Sequence, residues 1–202
     1  MLGYFWAVAT KKTITHVVYS GIGGHGNVMR SFINADTEAE FEYAVLFYGV
    51  EPLREEYKEW VIARGIPYRY VRKKPGIDVL YVFHFIRALF ALRSDVVFLH
   101  GAYNILFAKV FQLFKKSKLV VRETQNNGLK TNADWWFLKQ ALRFANAVVF
   151  LHDTYHAEVK QHYRRSFSNV YVVPNGVDMK IFNPQLRQRA YQQPFVFSMV
   201  SR

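Results

Sequence analysis

Asp95-Val96-Val97-Phe98-Leu99-His100 holds four consecutive apolar residues, opened by an aspartate and closed by a histidine. A strand with one wet face alternates apolar and polar side chains, because successive side chains point to opposite faces. An unbroken apolar run of this length marks a strand covered on both faces, the usual state inside a parallel sheet. Ala147-Val148-Val149-Phe150-Leu151 repeats the pattern later in the chain.

On either side of these runs, short β-rich segments alternate with longer helical ones. Strands are expected at Thr15–Ser20, Tyr43–Tyr48, Tyr68–Arg72, Val96–His100, Leu119–Arg122, Ala147–Leu151 and Val170–Val173. Helices are expected near Val28–Ile33, Arg54–Arg64, Val79–Leu92, Ile105–Lys115, Asp134–Ala145 and Thr154–Tyr163. Strand and helix in alternation imply right-handed crossovers and a doubly wound, Rossmann-like α/β domain with a parallel sheet. After Val173 the pattern breaks: Pro174-Asn175-Gly176 is a turn, Gln185–Gln193 is polar, and Phe195–Val200 reads as a fresh strand. No internal repeat or low-complexity segment interrupts this order.

A chain of 202 residues, 51% hydrophobic and 21% charged, is large enough for one such domain with a core. It contains no cysteine, which excludes a disulfide framework and a thiolate metal site and suits a reducing, cytoplasmic setting. The apolar Leu2–Ala9 precedes Lys11 and Lys12, the reverse of a secretory signal, so residues 1–14 read as an extension before the first strand. No apolar run reaches the ~20 residues of a membrane span. Val79–Leu92 comes nearest and contains His84 and Arg87.

The charge is lopsided: five Lys/Arg against eight Asp/Glu up to residue 59, then 22 against seven. Such asymmetry points to an anionic partner, whether phosphate, nucleic acid or acidic lipid. Nothing in the sequence matches a known nucleic-acid-binding motif, so nucleic acid is not expected. Ile105–Lys118 is either a membrane-touching helix, with Phe107, Phe111 and Phe114 beside Lys109, Lys115, Lys116 and Lys118, or a core-facing aromatic stripe with solvated lysines.

Gly21-Ile22-Gly23-Gly24-His25-Gly26 lies between the first strand and the first helix. Glycines there allow a sharp turn and close backbone approach to a ligand, and the helix start beyond offers unpaired N–H groups to a phosphate. Gly21, Gly23 and Gly26 also satisfy the dinucleotide-binding spacing, which keeps a NAD(P)-dependent oxidoreductase open as an alternative. That reading wants an acid at the tip of the second strand; the strand ends near Gly49, with Glu51 two residues on.

Asn169-Val170-Tyr171-Val172-Val173-Pro174-Asn175-Gly176-Val177-Asp178, followed by Phe182-Asn183-Pro184, resembles family 4 glycosyltransferases of the GT-B fold, as does the preceding Ala147–Leu151 strand. The glycine loop, the Asp95–His100 strand and Phe197–Arg202 are similar to that family too. The resemblance implies an N-terminal acceptor-side domain at 15–184 and, at 185–202, a linker and the first strand of a donor domain whose remainder is absent, leaving 1–202 inactive alone. It implies retaining, metal-independent transfer of a sugar from a nucleotide-diphosphate donor, without a cofactor, to a glycan or lipid-linked acceptor in cell-surface polysaccharide or lipopolysaccharide synthesis. An anionic membrane face is a further implied partner. Carried over, Gly23, Gly24, His25, Gly26 and Arg202 face the donor phosphates, and His100 contacts the donor sugar. By itself a strand-end histidine reads as a hydrogen-bonded structural residue. Glu123, Gln125, Asn126 and Asn127 fall on the acceptor side, where amides either bind sugar hydroxyls or serve the loop. Thr124 stands where many relatives carry a histidine, so no catalytic role transfers to it.

Overall fold

The computed structural model describes residues 11–176 apart from residues 22 and 77. The expected Phe195–Val200 strand, Asp178, Phe182, Pro184 and Arg202 lie outside the described residues.

Seven strands form one parallel sheet: β1 (Thr13–Tyr19), β2 (Glu42–Gly49), β3 (Tyr68–Arg72), β4 (Val96–His100), β5 (Lys118–Glu123), β6 (Ala147–Phe150) and β7 (Val170–Val172). Their spatial order is β3-β2-β1-β4-β5-β6-β7. The connecting helices are α1 (Gly24–Ala35), α2 (Glu55–Ala63), α3 (Val79–Ala91), α4 (Ile105–Phe114), α5 (Asn132–Phe144) and α6 (Asp153–Tyr163). Thus every element expected within the described residues forms, Tyr68–Arg72 and Val96–His100 with the expected bounds and the others displaced by a few residues. The first strand begins at Thr13 rather than Thr15, because Thr13 and Ile14 already pair with Glu42 and Tyr43 and the Thr13 amide donates to Asp95 at 3.0 Å. Residues 13 and 14 therefore belong to the sheet, not to an extension.

The sheet separates two apolar layers. Val18, Val45 and Phe47 pack with Met29 of α1 and Tyr57 and Val61 of α2 on one face. Val17, Leu46, Val97 and Leu99 meet Phe85 and Leu89 of α3, Phe111 of α4 and Leu138 of α5 on the other. This two-sided burial is why the Val96–Leu99 run carries no polar residue. Several helix starts are capped: Asp78 accepts from the Tyr81 amide at 3.0 Å, and Thr131 with Asp134 closes a capping box on α5. At α1 the cap residue is Gly23, with no side-chain cap, so the first amides of that helix lack a side-chain partner.

The chain runs from β1 to β2 on one side and reaches β4 on the other. The gap outside the carboxyl ends of β1 and β4 is therefore the topological switch point, where open α/β sheets bind ligands.

Candidate functional site

A cleft of about 1370 Å³ opens at that point. Its floor and walls include Gly23, Gly24 and His25 after β1, His100 and Gly101 at the end of β4, and Glu123 to Gln125 after β5. Val79, Val82, Phe83 and Ile86 of α3 and Phe107 of α4 make one side apolar. Gly101 adopts φ +116°, a conformation that favours glycine, and so lets the chain turn directly after His100. A smaller cavity of about 670 Å³, among Thr13, Asp36, Arg64 and Arg93, sits at the amino ends of the strands and shares no residue with the cleft.

His100 is 3% exposed, and its Nε2 lies 3.1 Å from Nδ1 of His16, which is 2% exposed. Register explains the pairing: His16 sits beside Phe98 across the β1–β4 ladder, so His16, Phe98 and His100 share the face under α1. Burial drives the His100 pKa well below its usual value, and the neighbouring His16, His25 and Arg122 push it further down. Burial alone lowers His16 to about 4. Both shifts favour the neutral ring at pH 7. His16 was not among the residues expected from sequence; a lone histidine inside Thr15–Ser20 gives no signal of its partner.

Gly23 and Gly24 line the cleft, and a Cβ on Gly24 would meet nothing within 4 Å. Gly26 is placed otherwise. Its Cα faces the Tyr57 ring, which a Cβ would approach to 2.3 Å, and the Tyr57 hydroxyl donates to the Gly23 carbonyl at 3.2 Å. Gly26 thus seats α1 on α2 and does not line the cleft. Burial, followed by the charge of Arg122, lowers the pKa of His25. Glu51 accepts from the Tyr19 hydroxyl at 3.1 Å and crowds Gly21.

The segment after β5 is tied inward. The Lys130 side chain is wholly buried; Nζ donates to the Gln125 carbonyl at 2.6 Å and to Asn127 Oδ1 at 2.9 Å, and lies 3.5 Å from Glu123 Oε1. Glu123 also accepts from the Gln125 amide at 3.0 Å. Asn127 donates to the Tyr155 carbonyl and to Glu158, at 3.0 and 2.8 Å, so its amide is spent within the fold and it does not line the cleft. Asn126 caps the turn at Asn127–Leu129 by accepting from the Gly128 amide at 2.8 Å, also away from the cleft lining. Glu123 and Gln125 remain in the lining. All three amide side chains of the loop are hydrogen-bonded within the fold, Gln125 donating to Asp134 at 3.3 Å, and of the three Gln125 alone also lines the cleft.

Asp134 anchors the same wall, accepting from Tyr103, Thr131 and Gln125. Burial raises its pKa, but these hydrogen bonds outweigh burial and hold it at about 2. A carboxylate depressed in the folded state contributes stability above its unfolded pKa and loses it as pH falls through the folded value. Asp134→Asn should therefore cost on the order of 2 kcal/mol at pH 7, the free energy that holds this carboxyl at about 2. The gap to wild type should close between about pH 4 and pH 2, read by urea titrations across that window. A gap constant down to pH 2 would show that the charge is not what stabilises.

Arg122, beside His100 across the β4–β5 ladder, is 3% exposed and donates to Asn175. Among the described residues no carboxylate comes within 4 Å of it. Arg122 is buried behind the cleft and does not line it, and the charged residues of the lining are Lys73, Asp78, Glu123 and Asp134; the feature that suits an anion is the start of α1, whose first amides carry no side-chain cap. No cluster of three or more metal-ligating side chains, and no helix long and apolar enough to cross a membrane, occurs among the described residues.

Residues 22–180 match the family model described as Glycosyltransferase Family 4. A search of the curated proteins returned no significant match. Among solved structures, the fold is similar to Anabaena HepE in complex with UDP and glucose (TM-score 0.63, 14% identity), covering 87% of this chain and 48% of that one. It is likewise similar to a glycosyltransferase from Rickettsia africae (TM-score 0.63, 13% identity, 88% and 46%). A third neighbour is the lipopolysaccharide outer core galactosyltransferase WaaB (TM-score 0.58, 15% identity, 83% and 46%). The chain spans about half the length of these proteins.

Proposed function

The chain belongs to glycosyltransferase family 4, and from that premise we propose that it is the N-terminal, acceptor-side part of an enzyme moving a sugar from a nucleoside-diphosphate donor to an acceptor hydroxyl. The observation that carries this reading is the family match across residues 22–180, with the glycine loop and His100 meeting in one cleft at the switch point. The match sets aside the nicotinamide reading of the glycine loop, whose acid, Glu51, is engaged by Tyr19.

On this proposal the uncapped amides of α1 face the donor diphosphate, and the departing diphosphate's charge is stabilised by fixed donors without a metal. Transfer is retaining, in cell-surface polysaccharide or lipopolysaccharide synthesis at the cytoplasmic membrane face. The deciding experiment uses a polypeptide carrying both halves, offered a panel of nucleotide sugars with glycan and lipid-linked acceptors. Gly24→Val should cut turnover at least tenfold, because the added methyls project into the open cleft, while its melting temperature stays put. Consumption of no donor with any acceptor would overturn the proposal.

The acceptor we propose carries an apolar portion, and the feature in support is α3. Val79 and Phe83, which line the cleft, are 74% and 61% exposed and Leu80 between them is 63% exposed, with Lys73 and Lys74 a few residues before. Lys118, by contrast, pairs with Val96 at the amino ends of the strands, away from the cleft, and α4 buries Phe111 while leaving Leu113 and Phe114 out. Because α3 borders the cleft and α4's exposed Leu113 and Phe114 do not line it, the membrane-facing patch proposed is α3 rather than the lysines after α4. The protein should sediment with anionic vesicles at low salt and leave them near molar salt. Leu80→Glu with Phe83→Glu should abolish sedimentation, whereas Lys115, Lys116 and Lys118 changed to Gln should weaken it only slightly. The reverse ranking would return the patch to α4.

A further inference from the structure

His16 and His100 form a two-ring pair with two loose ends. One hydrogen bond joins Nδ1 of His16 to Nε2 of His100 at 3.1 Å. The other two nitrogens, Nε2 of His16 and Nδ1 of His100, are buried and meet no partner among the described residues. The pair holds two protons when both rings are neutral, one in the shared bond and one on a loose nitrogen.

Two arrangements are possible. If His100 donates, the second proton sits on His16 Nε2, in a pocket walled by Phe32, Tyr43 and Phe98 with ring centroids 5.2 to 6.2 Å away. That N–H would have no acceptor in the core and no ligand that can reach it. If His16 donates, the bare nitrogen lies among the aromatic rings, and the proton falls on the ring that lines the cleft. A buried donor without an acceptor is the costlier defect, and only in the second arrangement does a ligand relieve it.

We propose that His16 is a positioning residue: it donates Nδ1–H to His100 Nε2 and fixes His100 as a neutral ring with its own proton on Nδ1, a hydrogen-bond donor to an acceptor oxygen of the nucleotide sugar. The identity of that ligand rests on the transferase reading; the proton placement does not. In this state His100 acts by donating a hydrogen bond rather than by exchanging a proton. Every charged or titratable group that bears on it is cationic or basic: His16 on β1, His25 on α1 and Arg122 on β5. None of them stabilises an imidazolium, and burial opposes it as well.

The test is two-bond ¹H–¹⁵N correlation on the uniformly labelled 202-residue chain, which reports the protonated nitrogen of each ring without turnover. The expected result is His100 with a protonated Nδ1 and bare Nε2, and His16 with a protonated Nδ1, unchanged from pH 8 down to pH 5.5. A His100 proton on Nε2, or an imidazolium signal at pH 5.5, would overturn it. In His16→Phe, which keeps an aromatic ring against Phe32 and Phe98, the His100 proton should spread over both nitrogens. A pure Nδ1–H signal in that variant would show that His16 does not place the proton. Should the variant fail to fold, the wild-type spectrum still decides which ring donates. A transferase assay that failed would leave this result standing, and a wrong tautomer would leave the transferase proposal standing.

Discussion

Replacing Lys130 by methionine should lower the unfolding free energy by about 3–5 kcal/mol, the usual cost of stripping one partner from a buried ion pair. The Lys130 side chain is 0% exposed and Glu123 is 7% exposed on the same measure, so water cannot take over when the ammonium is removed. Three acceptors lose their donor together: the Gln125 carbonyl, Asn127 Oδ1 and the Glu123 carboxylate. The carboxylate keeps only the Gln125 amide. Methionine fills much the same volume, so a loss on this scale reports charge and hydrogen bonding rather than a cavity. Chemical denaturation at pH 7 measures it. A loss under 1 kcal/mol would mean that Glu123 takes up a proton or turns to solvent at little cost. Glu123→Gln with Lys130→Met should then recover part of the loss, since the double variant buries no unpaired charge.

In a polypeptide carrying both halves, His100→Ala should reduce kcat by about 10²-fold, the typical effect of deleting one preorganised donor from a transferase or hydrolase site. The substitution also leaves His16 Nδ1 without its partner, so stability must be followed alongside activity. A loss in kcat at a temperature well below the melting transition assigns the effect to the site. Full activity with an unchanged KM would remove His100 from any contact with the reacting sugar and leave it as a packed strand-end residue.

The elements and their kinds were legible because this sheet buries both faces: runs such as Val96–Leu99 can only be interior strands, and Tyr68–Arg72 and Val96–His100 form with the expected bounds. The strand order was not legible, since local periodicity says nothing about which strand lies beside β1. The candidate site divides along the same line. Gly23, Gly24, His25 and His100 sit at strand–helix junctions that sequence order locates, and they meet in the cleft. Asn127 belongs to an amide-rich loop that looks ligand-facing, yet its partners Tyr155 and Glu158 come from α6, about thirty residues on. Gly26 satisfies a phosphate-loop spacing while its real constraint is Tyr57 on α2. His16 and Lys130 escaped notice for one reason: each is defined by a partner or an enclosure that only tertiary contact supplies.

The central place of β1 bears on how the chain reaches its native state. Ile14 must wait for Val96 before its second edge is closed, although its first partner, Tyr43, arrives much sooner. During synthesis the first strand therefore leaves the ribosome long before its later neighbour exists. Val17 and Val18, both buried in the finished sheet, stay uncovered on that side in the interval. Closing so long a loop costs entropy before any contact rewards it, which puts parallel sheets of this kind among slow folders, in milliseconds to seconds. The strand that ends at the glycine loop is thus also the one most exposed to mispairing during translation.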